Sequence, residues 1–227
     1  MNDSLVALLV IVIVLLTVLI SLQILFAFYE QEVKNFLSRI RFGKKRRNNN
    51  VNDLIIFFNN MASSLAKMSL EKVGGLIVVE NKDNLAPYIN IGNKIDSAFF
   101  PEFVNNIFYN HKSALHDGAM IIRNWRIVSL SSYLPMTKRI VNVEYGARHR
   151  AAFGICEKYD CFAFVVSETN GHITAVHRDE IKRLSQSPEK LVQEIAKIFV
   201  YSGLIDKAYM SKKINIIEKV KEYISTK

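Results

Sequence analysis

The sequence is organised around the stretch Leu115-His116-Asp117-Gly118-Ala119-Met120-Ile121-Ile122. In it the carboxylate of Asp117 is followed by Gly118 and Ala119, which have almost no side chain, and then by an apolar run typical of a buried strand. Small residues let another molecule approach the backbone, while the carboxylate can hold a cation or a hydroxyl group. The stretch therefore predicts a central strand with a ligand site where it begins.

A second dense cluster follows about thirty residues later, with the sequence Gly146-Ala147-Arg148-His149-Arg150-Ala151-Ala152. Its charge is opposite in sign, and its small residues again leave room for a ligand. Neighbours on a helix diverge by about 100°, so Arg148 and Arg150 need not do the same job. Arginine can bind phosphate through two hydrogen bonds, and a salt bridge to Glu144 or Glu157 is the alternative. Together the two clusters suggest a site for a metal-bound polyphosphate.

Three side chains are candidates for binding a metal. Asp117 is a hard oxygen ligand for Mg²⁺ or Mn²⁺ that could also polarise a sugar hydroxyl, although an aspartate in a turn often only accepts backbone N–H groups. His116 could add a ring nitrogen, or it could be structural. Glu168 ends an apolar strand, where it could reach a metal or lie in a solvated loop.

The hydrophobic pattern predicts a domain of mixed strands and helices, either α/β or α+β. The segment 87–93 is predicted as loop and short strand, and Asn170-Gly171 as a tight turn. Strands are predicted at 74–80, 119–122, 127–130, 161–167 and 172–177, and helices at 53–71, 101–110, 145–155, 187–203 and 206–225.

The N-terminus carries a long apolar run. Residues 4–29 contain no charged side chain, and about 20 residues suffice to cross a bilayer. Seven basic residues follow between Lys34 and Arg47, and by the positive-inside rule they place the C-terminal side in the cytoplasm. We expect a single-pass anchor in the cell membrane at residues 1–30, a basic juxtamembrane linker at 31–52, a main cytoplasmic domain at 53–185 and a helical extension at 186–227.

The remaining composition excludes several classes of protein. The net charge is +9, but much of the basic excess lies in the linker, and it resembles no nucleic-acid-reading module, so no nucleic-acid partner is predicted. Cys156 and Cys161 do not have the spacing of a zinc site and are expected to be reduced. The chain contains no P-loop, Rossmann, G-x-S-x-G or H-E-x-x-H motif.

These motifs in this order resemble the diadenylate cyclase family, which makes cyclic di-AMP from two ATP. The likeness covers about residues 72–180, and it is specific because it joins the Asp-Gly-Ala and Arg-His-Arg motifs at this separation. It is carried by Leu115 to Ala119, Tyr133-Leu134-Pro135, Gly146 to Ala152 and Val166-Ser167-Glu168.

The resemblance implies an α/β domain with a mixed central sheet flanked by helices, and it assigns roles to the site residues. Asp117 would act at the ribose 3′-hydroxyl or its metal, and a divalent Mn²⁺ or Mg²⁺ would be the cofactor. Gly118 and Ala119 would line the nucleotide, and Tyr133 and Leu134 would contact adenine. Arg148, His149 and Arg150 would bind the triphosphate, with Gly146, Ala147 and Ser167 nearby. Glu168 and His116 would hold the metal together with Asp117.

Two departures from the family pattern bear on this assignment. Ala147 stands where the family usually has Thr, and Thr169-Asn170-Gly171 replaces a second acid followed by Thr-Gly.

Because one chain holds one ATP while the product needs two, a head-to-head homodimer, which can be transient, is expected. The competing hypothesis is a membrane-tethered sensor that binds a nucleotide without turnover.

Overall fold

The computed structural model describes residues 3, 6, 8–23, 51–141 and 144–201. The chain forms two compact units, Met1–Arg46 and Arg47–Lys227. In the first, residues 8–23 form helix α1 with exposed side chains. None of the helices in the described part of the chain combines the length and the apolar character needed to cross a bilayer. The other residues of the predicted anchor, apart from 3 and 6, lie outside the described residues, as do residues 31–50 of the predicted linker and the helix predicted at 206–225.

The second unit is built on one seven-stranded sheet with the order β2-β4-β3-β1-β5-β6-β7. A single 3₁₀ turn, Ala114–His116, precedes β3. The helices are α2 (Val51–Leu70), α3 (Ala86–Ile91), α4 (Pro101–Tyr109), α5 (Ala147–Lys158) and α6 (Pro188–Tyr201), and the strands are β1 (Gly75–Glu80), β2 (Asn93–Ala98), β3 (Ala119–Arg123), β4 (Arg126–Ser132), β5 (Cys161–Val166), β6 (Ile173–His177) and β7 (Glu180–Leu184).

The strand directions bring several predicted site segments to one end of the sheet. β1 and β3 are parallel, whereas β4 and β5 run antiparallel to their neighbours β3 and β1. Gly75 pairs with Val166, and Ala119 pairs with Ser132. Thus β1 and β3 begin where β4 and β5 stop. We call this end, marked by these four residues, the head end of the sheet.

Apolar side chains cover both faces of the sheet, as expected for a sheet packed between helices. Along β1, Ile77 and Val79 face the layer of α2, α4 and α6, whereas Leu76 and Val78 face the layer of α5. The ring of Phe199 on α6 stacks on that of Phe58 on α2 with centroids 5.4 Å apart. Full burial of such a side chain stabilises the fold by about 1.5–3 kcal/mol.

Most predicted elements are confirmed within a few residues, including the strands at 119–122 and 127–130, which pair as the hairpin of β3 and β4. Its turn residues, Asn124 and Trp125, both have positive φ, at 50° and 65°, which is the backbone twist that a two-residue hairpin turn needs. Cys156 and Cys161 are free and buried, also as predicted.

Two predictions were wrong or incomplete. Residues 86–91 form helix α3 rather than a loop, with Pro87 in the first turn, where its fixed φ suits a helix. Strands β2 and β7 were missed because they lie at the edges of the sheet and are mostly polar and exposed. Helix α6 belongs to the predicted C-terminal extension, and its Leu191, Ile195 and Phe199 lie in the core.

Candidate active site

The acid turn lies at the head end, between the 3₁₀ turn and β3. Asp117 is exposed and has an extended backbone, and one of its carboxylate oxygens accepts the N–H of Gly118 at 3.0 Å. Gly118 has a φ of +84°, and a Cβ there would lie 2.9 Å from the carbonyl carbon of Ser131. Glycine is therefore required twice at this position, by the backbone angle and by the close approach of β4.

The ring of His116 is oriented by a hydrogen bond to the backbone. Its Nδ1 lies 2.6 Å from the carbonyl oxygen of Ser113, which can only accept, so Nδ1 carries the proton. In a neutral ring this leaves Nε2 as the nitrogen able to ligate a metal. Metal-binding histidines usually donate their other N–H in this way. The tautomer therefore fits the predicted role of His116.

The basic cluster occupies the first turn of α5. Gly146 caps the helix without a side-chain hydrogen bond, and a Cβ there would meet nothing within 4 Å. The first N–H groups of a helix have no intrahelical acceptor, and the helix dipole makes this end positive. No acid lies in the first turn, and Arg148 adds a further positive charge. This combination disfavours the helix in isolation and suits a bound anion.

The three basic side chains of the cluster diverge. Arg148 donates from Nη1 to Oε2 of Glu168 at 2.7 Å, while its Nε is buried without a hydrogen-bond partner. His149 is 5% exposed under the ring of Tyr145, and burial lowers its pKa. Arg150 is exposed. Hence Arg148 and Arg150 face different surroundings, as the helical geometry predicted.

Gly74 is a site residue that the sequence analysis missed. A Cβ at this position would lie 2.9 Å from both Nη1 of Arg148 and Oε2 of Glu168. The lack of a side chain just before β1 thus makes room for the ion pair. The Gly74-Gly75 pair before an apolar strand was the available signal, but nothing in it identified the partners.

The acid turn and the basic cluster converge through the order of the strands. β1 lies between β3, which follows Asp117, and β5, which precedes Glu168. Neighbouring strands are about 4.8 Å apart, so the chain segments that carry the two carboxylates are separated by roughly 10 Å at the end of the sheet. The ion pair of Glu168 brings Arg148 to the same place. One nucleotide with its phosphates is large enough to contact all three residues.

The remaining predicted residues border this region. Tyr133 directly follows β4 and is 69% exposed, whereas Leu134 packs against the core on the α5 side. The Ser167 hydroxyl accepts the N–H of Thr169 at 3.3 Å, and the Ser167 N–H donates to the carbonyl oxygen of His172 at 3.0 Å. Ala119 is buried and Ala147 is exposed.

No preassembled metal group of three His, Cys, Asp or Glu side chains occurs within the described ranges. Individual donors nevertheless fit a hard divalent cation, because Asp117 offers an exposed carboxylate and His116 a ring nitrogen. Mg²⁺ usually takes only one or two carboxylates from a protein and completes its shell with water and substrate phosphates. The donor set therefore fits a metal that arrives with a nucleotide.

A mixed sheet with a carboxylate turn and a basic helix N-terminus at one end defines a nucleotide-binding α/β domain. The family model described as DisA bacterial checkpoint controller nucleotide-binding matches residues 62–181. The chain is 44% identical over 175 residues to the diadenylate cyclase of Mycoplasma genitalium, covering 76% of this chain and 86% of that one. It therefore belongs to the diadenylate cyclase family.

Two further similarities agree with this assignment. The diadenylate cyclase of Mycoplasma pneumoniae is 42% identical over 186 residues, which are 82% of this chain and 92% of that one. The crystal structure of a double mutant of DacA from Staphylococcus aureus superposes with a TM-score of 0.60 at 33% identity, covering 64% of this chain and 97% of the other.

Proposed function

We propose that the protein condenses two ATP into cyclic di-AMP and two pyrophosphates, with one ATP bound at the head end of each of two chains. The observation that carries this proposal is the 2.7 Å ion pair between Arg148 and Glu168, which joins the basic cluster to the end of the sheet where Asp117 lies. Membership of the diadenylate cyclase family supports the reaction.

The first turn of α5 would bind the triphosphate. Arg148 and Arg150 supply guanidinium groups, and the unpaired N–H groups of the turn supply further donors. Burial lowers the pKa of His149 and so favours its neutral form, which can still donate one hydrogen bond. These groups would hold the α-phosphorus in place and stabilise the charge that develops on the departing pyrophosphate.

Asp117 would orient the ribose 3′-hydroxyl and accept its proton. Each 3′-oxygen forms a bond to the α-phosphorus of the other ATP, while the bond from that phosphorus to the oxygen of the β-phosphate breaks. Pyrophosphate leaves with the electron pair, and the hydroxyl proton passes through the Asp117 carboxylate to solvent. The closely packed turn at Gly118 would fix the carboxylate for this step.

A divalent cation, Mn²⁺ or Mg²⁺, would be held by Asp117, Glu168 and His116. When bound it neutralises phosphate charge and favours ionisation of the hydroxyl group. Glu168 takes part in this only if it loosens its contact with Arg148. The incoming phosphates provide the reason, because they compete with the carboxylate for the same guanidinium.

Two chains must face each other, because the 3′-hydroxyl on one ATP has to reach the phosphorus of the other. A symmetric homodimer formed through the head ends satisfies this requirement. Tyr133, exposed beside the site, would contact adenine at this face. Such pairing can be transient, in which case turnover per chain rises with protein concentration.

We also place the enzyme at the cell membrane. The charge-free run at residues 4–29 and the basic residues from Lys34 to Arg47 support a single-pass anchor with a cytoplasmic catalytic domain. Extraction of cell membranes at high pH tests the anchor: the full chain should stay in the pellet. Release into the supernatant would contradict it.

The reaction is tested by incubating the full chain with radiolabelled ATP and either Mn²⁺ or Mg²⁺, then separating the products by chromatography. Cyclic di-AMP and pyrophosphate should form together, and a parallel incubation with GTP measures the base preference. Binding of ATP without any product would instead favour the nucleotide sensor. The Ala147 and Thr169 departures from the family pattern are the features that favour that alternative.

A further inference from the structure

The segment after β4, residues 133–137, lies directly on helix α5. A Cβ at Gly154 would come 2.6 Å from the carbonyl carbon of Met136, so only glycine admits this approach without a shift of the backbone. The N–H of Thr137 donates to the carbonyl oxygen of Arg150 at 2.9 Å. The segment and the helix that carries the basic cluster are thus in direct backbone contact.

The end of this segment is also fixed by side chains. The hydroxyl of Thr137, which is 3% exposed, donates to the carboxylate of Glu157 at 2.6 Å. The same hydroxyl oxygen accepts the N–H of Arg139 at 3.1 Å. The guanidinium of Arg139 bridges the carboxylates of Glu157, at 3.3 Å, and Asp179, at 2.6 Å. A hydrogen bond to a carboxylate at a buried hydroxyl stabilises more than a neutral one.

These contacts connect the two halves of the proposed nucleotide site. The segment begins with Tyr133 and Leu134, which would contact adenine, and α5 begins with Arg148, which would bind phosphate. The segment packs on the same helix that carries Arg148. Its position along α5 therefore sets the distance between the residues that would contact the base and the residue that would bind phosphate. The hydrogen bond from Thr137 to Glu157 helps to fix that position, together with the backbone contacts at Gly154 and Arg150.

We infer that Thr137 and Glu157 are positioning residues that hold Tyr133 and Leu134 in place for the base of ATP. Neither residue touches the reacting atoms, so the link acts on substrate affinity rather than on the chemical step. The inference rests on the proposed function, since it takes the occupant of the site to be ATP.

The test compares full-length variants in the cyclisation assay. Thr137→Val removes the hydroxyl and keeps the shape, Thr137→Ser keeps the hydroxyl, and Glu157→Gln weakens its acceptor. Thr137→Val and Glu157→Gln should each raise KM for ATP about tenfold, the change expected for one lost hydrogen bond to a charged group, with kcat changed less than about twofold. Thr137→Ser should restore the wild-type KM. Asp96→Asn, in a surface ion pair with Arg126, is the matched control.

The coupling between the two residues gives a second readout. The double variant should raise KM no further than either single one, because both remove the same link. A lowered Tm with an unchanged KM would show that the link between Thr137 and Glu157 only stabilises the fold, and would overturn the inference. Additive effects of the two substitutions on KM would also overturn it. If the wild-type chain makes no cyclic di-AMP, the proposed function itself fails and the inference falls with it. An active wild type with unaffected variants overturns only the inference.

Discussion

The Nη1 atom of Arg148 lies 2.7 Å from Oε2 of Glu168, and this ion pair joins the first turn of α5 to the end of β5. Glu168 is 67% exposed, so in water the pair contributes little to stability. The ion pair matters because it holds Arg148 and Glu168 next to each other at the candidate site. A phosphate group bound at the same guanidinium would compete with the carboxylate of Glu168 and free it for a metal.

Replacement of Asp117 by Asn should abolish most product formation without unfolding the domain. The side chain is exposed, so Tm should stay within a few degrees of the wild type. Loss of a proton acceptor typically costs about 10²–10⁴-fold in rate. Chromatography of labelled products measures the rate, and calorimetry measures Tm. Cyclisation at the wild-type rate would show that the assigned role is wrong.

Glu168→Gln should separate phosphate binding from metal use. The variant removes the charge that competes for Arg148, so binding of a non-hydrolysable ATP analogue without metal should be at least as tight as in the wild type. The rate at limiting Mn²⁺ should fall, and more Mn²⁺ should be needed to reach half-maximal activity. Titration calorimetry and a metal titration of the rate measure the two effects. An unchanged metal requirement would remove Glu168 from the proposed metal ligands.

Gly118→Ala should lower both stability and activity. At a φ of +84° an L-residue costs about 1–2 kcal/mol, and its Cβ would press against the backbone at Ser131. We expect a Tm several degrees lower and a displaced Asp117. Gly146→Ala is the matched control for stability, because its φ is −73° and its Cβ would meet open space. Equal thermal stability of the two variants would show that the turn tolerates a side chain.

His149 should make stability depend on pH near neutrality. Burial lowers its pKa from the ordinary value of 6.5, so its protonation favours the unfolded chain. The stability contribution is full above pH 6.5 and is lost as the pH falls through the lower, folded-state pKa. His149→Gln, which cannot be protonated, should flatten the decrease in Tm below pH 6.5. Parallel profiles for the variant and the wild type would contradict this.

Much of the fold was predictable because local sequence patterns, such as apolar runs and turn residues, indicate individual strands and helices. The apolar runs of β1, β3 and β5 mark strands buried on both faces, and the Asn124-Trp125 turn sits between two such runs. The edge strands β2 and β7 carry no such signal, because edge positions are solvated on most sides. Helix α6 was predicted as a helix, but its place in the core depends on contacts with Phe58 across the sequence.

The chemistry of the candidate site can be seen in the order of the amino acids: a carboxylate before two small residues, a basic helix start and an acid after an apolar strand. That these groups lie at one end of the sheet follows from the folding of the whole chain. Strand β1 pairs with both β3 and β5, and Gly74 has no side chain to keep Arg148 from Glu168. The physical reason is that periodicity records which face of an element is buried, whereas pairing between distant strands depends on the packing of the whole chain.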